Sequence, residues 1–262
     1  MSSSSFSPNS APKGTVPQLA SADPFGASQL KHLWWVAPLA VCAGLGTFGL
    51  YSTWAALQGS HYTFGPYLSP FYSPELAFRW WHFSPAILIL WAPLGFRATC
   101  YYYRKAYYRA FFWDPPACAV SDGRSHGYSG ETKFPFVLQN LHRYFLYVAL
   151  VFIFFLWSDA VRGFWFNGHF GIGVGSLILV ANSFLLTGYT LSCHAFRHLV
   201  GGKLDCFSCV TMAPQRRALY NGVSCINHYH HLWAWASLCV VGFSDFYIRM
   251  CSMGVWADFR IW

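Results

Sequence analysis

Two cysteines and four histidines of this chain could do chemistry together: Cys100, Cys193, His142, His194, His198 and His230. Cys193 and His194 are adjacent. His198 follows one helical turn later, on the same helical face as His194. Cys100, His142 and His230 stand near the ends of three other apolar segments. Thiolates and imidazoles are the ligands of haem iron, of zinc and of iron–sulfur clusters. Two redox groups fit the set. A haem b needs two histidines on facing helices, and several pairs are on offer. A Rieske-type [2Fe-2S] cluster needs two cysteines on one iron and two histidines on the other. Cys118, after Pro115-Pro116, is an alternate donor from a neighbouring loop.

Charge counting favours the cluster for a buried site. Two ferric ions, two sulfides and two thiolates sum to zero, whereas four thiolates would leave a double negative charge in low dielectric. Imidazole ligands also raise the potential, which suits handing electrons to a quinone.

These residues need elements that hold them at one level, and the composition says which. Only 10% of the chain is charged and 55% is hydrophobic, too few charges to coat a soluble domain of this length. The net charge of +8 suggests nucleic acid, but the basic residues sit at the ends of apolar segments, as membrane topology uses them; no nucleic-acid partner is expected. Nine cysteines scattered through such a chain read as reduced thiols or metal ligands. The expected fold class is all-α: an integral membrane, five-helix transmembrane bundle over residues 31–262. It follows a disordered cytoplasmic tail, residues 1–30, rich in Ser, Pro and Ala.

The five apolar stretches run over about 33–57, 80–112, 136–161, 172–199 and 226–248. With the N-terminus inside, thirteen of the 17 Lys and Arg fall on the cytoplasmic side. Arg79, Arg162, Arg249 and Arg260 fall outside. The positive-inside rule therefore predicts a multi-pass plasma-membrane protein with a cytoplasmic N-terminus. In that frame Cys193 and His194 lie about 9 Å inside the end of the fourth helix; Cys100, His142 and His230 lie at similar depth, and His198 one turn nearer the surface. Ionisable groups within a membrane are costly and tend to mark function.

Other features are read more simply. Residues 57–79, rich in Tyr, Pro and Phe, should lie against the outer membrane interface. Pro85 and Pro93 should bend the second helix. Gly171, Gly173 and Gly175 read as close packing rather than a nucleotide fingerprint, because no strand precedes them. Cys206 and Cys209 have CxxC spacing but no clear fourth ligand, so free thiols are expected. The run from Cys100 to Arg109 is rich in Tyr, Arg and Lys. It reads either as an interfacial belt or as a quinone headgroup site, with Tyr101, Tyr103, Arg104 and Arg143 as its hydrogen-bonding groups. A small membrane transporter is disfavoured by the scarcity of mid-membrane acids and of broken-helix repeats. A cofactor-free scaffold would bind no redox group.

Four strings carry a resemblance: CYYYRKAYYRAFF from Cys100, PPACAV from Pro115, YSGETKFPFVLQNLHRYF from Tyr128 and LSCHAFRHLVGGKL from Leu191. They resemble the membrane-anchor, cytochrome b-like subunit of actinobacterial-type succinate dehydrogenase, the single-anchor form of respiratory complex II. The likeness covers most of residues 31–262 but is poor over 203–225. It implies a flavoprotein partner that oxidises succinate and an iron–sulfur partner that relays electrons. It also implies an anchor that passes them through an intramembrane Rieske-type cluster to menaquinone or ubiquinone. The anchor alone would have no succinate dehydrogenase activity. The resemblance implies four ligands among Cys100, Cys118, Cys193, His142, His194, His198 and His230, with one cysteine of the second segment and Cys193 favoured.

Overall fold

The computed structural model describes residues 33, 35–76, 78–112, 132, 134, 136–202, 209 and 211–261. The tail of residues 1–30 and Cys118 lie outside the described residues.

Eight α-helices carry the described residues: α1 Val36–Gln58, α2 Ala86–Ala98, α3 Tyr101–Phe111, α4 His142–Arg162, α5 Val174–Leu191, α6 His194–Gly201, α7 Ala213–His228 and α8 His230–Ser252. Two small antiparallel hairpins, β1–β2 at Thr63–Phe64 and Tyr67–Leu68 and β3–β4 at Trp165–Phe166 and His169–Phe170, cap one end. The helix packing centres on α5, which lies against α4 and α8, while α2 packs on α4 and α1 on α3. Large apolar side chains point outward along the helices, among them Leu50, Trp91, Leu94, Phe154 and Phe184. Only 6% of the apolar window of α1 is buried within the chain. Helices that leave this much apolar surface bare need lipid to cover it. By length and hydropathy three helices can cross a bilayer: Val36–Gln58, Val137–Arg162 and Val174–Leu191. The architecture is an all-α membrane anchor.

Three of the long apolar stretches are broken. The second segment is interrupted at Thr99-Cys100, where Cys100 turns extended (φ −68°, ψ 129°). The fourth breaks at Ser192-Cys193, with Cys193 also extended (φ −65°, ψ 142°). The fifth breaks near its start, where Tyr229 separates α7 from α8. Each break frees backbone groups that a bilayer could not satisfy, so each must sit inside the protein or beside a cavity. Pro85 does not bend α2 but precedes its first turn, where a missing N–H costs nothing; Pro93 alone lies inside the helix.

The loop after α1 differs from the interfacial belt expected of it. Tyr67, Phe71 and Tyr72 are buried. Tyr72 donates to the Ala55 carbonyl at 2.8 Å and stacks on Tyr62. The loop is a folded plug because its phenols find partners within the protein: Tyr72 at the end of α1, Tyr62 at Glu75 and Tyr67 at Asp258. Burial and a hydrogen bond to Glu75 hold the Tyr62 phenol above its ordinary pKa. Arg249 is likewise no headgroup charge: it is 1% exposed and paired with buried Asp245. Cys209 is disulfide-bonded, which corrects the expectation of a free thiol there; hydropathy and charge carry no information on which sulfurs meet.

Close helix approach rests on glycines. A Cβ on Gly188 of α5 would collide with the Trp233 indole of α8, and one on Gly95 of α2 with the Phe145 ring of α4. Gly173 and Gly175 face Tyr67 in the same way. Gly188→Ala should destabilise the bundle by about 1–3 kcal/mol through overpacking. A lowered thermal midpoint of the detergent-purified protein checks this, with Gly46→Ala, which meets open space, as the control.

Candidate functional site

The helix breaks set the candidate donors in place. Cys100 caps α3, Cys193 caps α6, His142 is the first residue of α4 and His230 the first residue of α8. The six residues singled out as ligands all line one cavity of about 620 Å³. Four helix N-termini therefore meet there, and their dipoles favour negative charge at this level.

Within the cavity the donors pair off. His142 Nε2 lies 2.9 Å from Cys193 Sγ, and His230 Nε2 lies 3.5 Å from Cys100 Sγ. Cys100, Cys193 and His142 are all at most 5% exposed. The other ring nitrogen of each histidine is held by a hydroxyl. Thr99 Oγ1 donates its hydrogen to Gly95 O (2.7 Å) and so accepts from His142 Nδ1–H at 3.0 Å. Ser192 Oγ donates to Tyr189 O (3.2 Å) and accepts from His230 Nδ1–H at 2.7 Å. Both imidazoles thus keep the Nδ1–H tautomer and turn an Nε2 lone pair toward a cysteine sulfur. Phe96 stacks on His142 (4.6 Å between centroids) and Tyr189 on His230 (5.1 Å), locking the ring planes.

His194 and His198 stand apart from these pairs. They are exposed, their Nε2 atoms 3.0 Å from one another. Among the described residues, no group of three or more His, Cys, Asp or Glu side chains is arranged around a single metal ion. The arrangement is two Cys–His pairs, not one ion's coordination shell.

The residues expected at a quinone head divide. Tyr101 and Arg143 line the same cavity. Tyr103 does not; it is buried, donates to Ala234 O at 2.7 Å and accepts from Arg97. Its hydroxyl is committed because α3 packs it into the bundle. Arg104 lies over the Tyr101 ring at 5.0 Å and lines neither of the two cavities described here.

Arg97 is one of the thirteen basic residues on the cytoplasmic side in the charge count. In the fold it is half-buried, donating to Ser237 Oγ at 2.9 Å and to Ala234 O at 3.2 Å, with its guanidinium 4.6 Å over Tyr189. A second, apolar cavity of about 670 Å³ ends at Arg97, Tyr103 and Tyr189. Thr99, Ser192 and Tyr189 also escaped sequence reading. The only hint was that Thr99 and Ser192 each precede a cysteine.

An all-α membrane anchor with two Cys–His pairs on buried cysteines is the class that fold and site define. A family model described as actinobacterial succinate dehydrogenase subunit SdhC matches residues 36–254, and the chain belongs to that family. Among solved structures, a chain of the Mycobacterium smegmatis Sdh1 complex in the apo form is similar, with a TM-score of 0.75 and 41% identity. That match covers 86% of this chain and 90% of the other. No curated protein matches the chain.

Proposed function

We propose that this chain is the five-helix anchor of a succinate:quinone oxidoreductase and holds a Rieske-type [2Fe-2S] cluster in its cytoplasmic half. It sits in the plasma membrane with its N-terminus inside, bound to a flavoprotein subunit and an iron–sulfur subunit. The observation that carries the reading is the pair of tautomer-fixed histidines, each aiming Nε2 at a buried cysteine. Two thiolates and two neutral imidazoles are the donor set such a cluster takes. Cys100, Cys193, His142 and His230 would hold it. His194 and His198 would not, since each faces the other. Bound there, the cluster would accept and release one electron at a time.

The rest of the site serves the quinone. Tyr101 and Arg143, on the cavity wall, would hydrogen-bond a quinone carbonyl. His194 and His198, exposed on the same wall, would carry protons from the cytoplasm. Arg104, over the Tyr101 ring, would orient the phenol. The apolar second cavity suits an isoprenoid tail. A haem b would use the same histidines, but each Nε2 faces a sulfur at close range, an arrangement that favours iron–sulfur ligation.

Electron paramagnetic resonance of the reduced, purified complex tests the reading. A Rieske-type signal supports it. A low-spin haem spectrum, with matching bands in the reduced-minus-oxidised optical difference, overturns it. So does a spectrum holding only the partner subunits' clusters.

The hydroxyls behind the histidines give a further expected result. Thr99→Val or Ser192→Ala should lower cluster content or quinone reduction by about 10- to 100-fold, the usual effect of removing the group that orients a ligating histidine. Iron and acid-labile sulfide per complex, measured beside quinone turnover, check it.

A further inference from the structure

Tyr189 of α5 is 1% exposed, yet among the described residues its hydroxyl meets no hydrogen-bond partner. An orphaned phenol is rare in so tightly packed a place, because burial without a partner is costly. The side chains set against its ring are aromatic or cationic. His230 is stacked on its ring, Phe96 and Tyr103 meet it edge-on, and Arg97 covers one face. The Tyr103 hydroxyl already donates to Ala234 O and accepts from Arg97. Cys100 packs in the same buried cluster as Tyr189, and its Sγ lies 3.5 Å from Nε2 of the His230 ring on which Tyr189 stacks. A neutral thiol is a poor acceptor, whereas a metal-bound thiolate is a good one.

We propose that Tyr189 is a positioning residue that donates a hydrogen bond to the Cys100 thiolate and thereby raises the reduction potential of the group held there. The inference rests on the cluster reading above. Hydrogen bonds to cluster sulfurs favour the more negative, reduced state. One electron enters and one leaves; the phenolic proton stays on Tyr189, and no bond there breaks. The Arg97 guanidinium over the ring makes the O–H a stronger donor and adds a positive charge to the same end.

The test is a potentiometric titration of the purified complex, followed by electron paramagnetic resonance, for wild type and Tyr189→Phe. The Phe variant keeps the ring against His230 and Arg97 and loses only the hydroxyl. At a fixed poise its reduced-to-oxidised ratio should fall about tenfold, a downward shift of about 59 mV for a one-electron couple. Wild type should also show one exchangeable proton coupled to the reduced cluster beyond the two imidazole Nδ1–H protons, and Tyr189→Phe should lack it. An unchanged midpoint, or a full set of exchangeable couplings that is identical in both, overturns the proposal. Loss of the variant's signal overturns it too, since the hydroxyl would then serve assembly rather than tuning. If wild type itself lacks a Rieske-type signal, the cluster reading is what fails.

Discussion

A complex carrying Cys193→Ala should oxidise succinate with a soluble dye acceptor at the wild-type rate while its quinone reduction falls at least about 100-fold. Its Rieske-type signal should vanish. The size of the effect follows from the site. Cys193 is 2% exposed and faces His142 Nε2 at 2.9 Å, so no solvent ligand can take its place. Its extended backbone starts α6, and alanine adopts that conformation without strain, so the helix break should survive. The packing loss from one sulfur in a small pocket is about 1 kcal/mol, too little to unfold the chain. Cys239, exposed on α8, is the matched control and its replacement should change nothing. A Cys193→Ala complex that keeps the signal would remove Cys193 from the ligand set. His142→Ala paired with His230→Ala should reproduce the loss, whereas His194→Ala paired with His198→Ala should retain the cluster. The opposite pattern would exchange the two histidine pairs.

Asp245→Ala should destabilise the anchor by about 3–5 kcal/mol, because it strands a buried positive charge. Asp245 is fully buried and Arg249 is 1% exposed, with Nε and Oδ2 3.4 Å apart. Tyr51 of α1 donates to Asp245 Oδ2 at 2.6 Å, and Ser69 of the loop donates to Oδ1. Arg249 in turn reaches the carbonyls of Ser60 at 2.9 Å and Ala55 at 3.3 Å. One ion pair therefore ties α1, the plug loop and α8 together. The double variant Asp245→Leu/Arg249→Met should recover most of the loss, since removing both charges also removes their desolvation cost. Thermal midpoints of the purified complex decide it, and a double variant as unstable as the single would refute the account. His230 and Asp245 are fifteen residues apart on α8, or about 23 Å, so the cofactor signal of the surviving fraction should be unchanged.

What was legible in the sequence follows from quantities that add along a chain. Hydropathy summed over about 20 residues finds membrane helices whatever packs beside them. That is why the all-α membrane anchor and its long helices could be read directly. Depth also adds residue by residue, so Cys100, Cys193, His142 and His230 could be put at one level before any contact was known.

Tertiary structure decided the remainder. Apolar content is the same whether a run is one helix or two, so the breaks at Cys100 and Cys193 left no trace in hydropathy. Yet those breaks turn two cysteines into one cavity. Which histidines face them depends on hydroxyls reaching across helices: Thr99 of the α2–α3 corner to His142, and Ser192 of the α5–α6 corner to His230. Arg97 and Arg249 look like topology charges in a count of Lys and Arg, because a count does not register a partner donated by a distant helix. Tyr189 looks like any aromatic residue of a membrane span. Only the packing of α5 against α2, α3 and α8 buries its hydroxyl near a cysteine and, among the described residues, without a hydrogen-bond partner. Sequence distance carries no record of these meetings, since each joins residues from separate helices that only the folded bundle brings within reach.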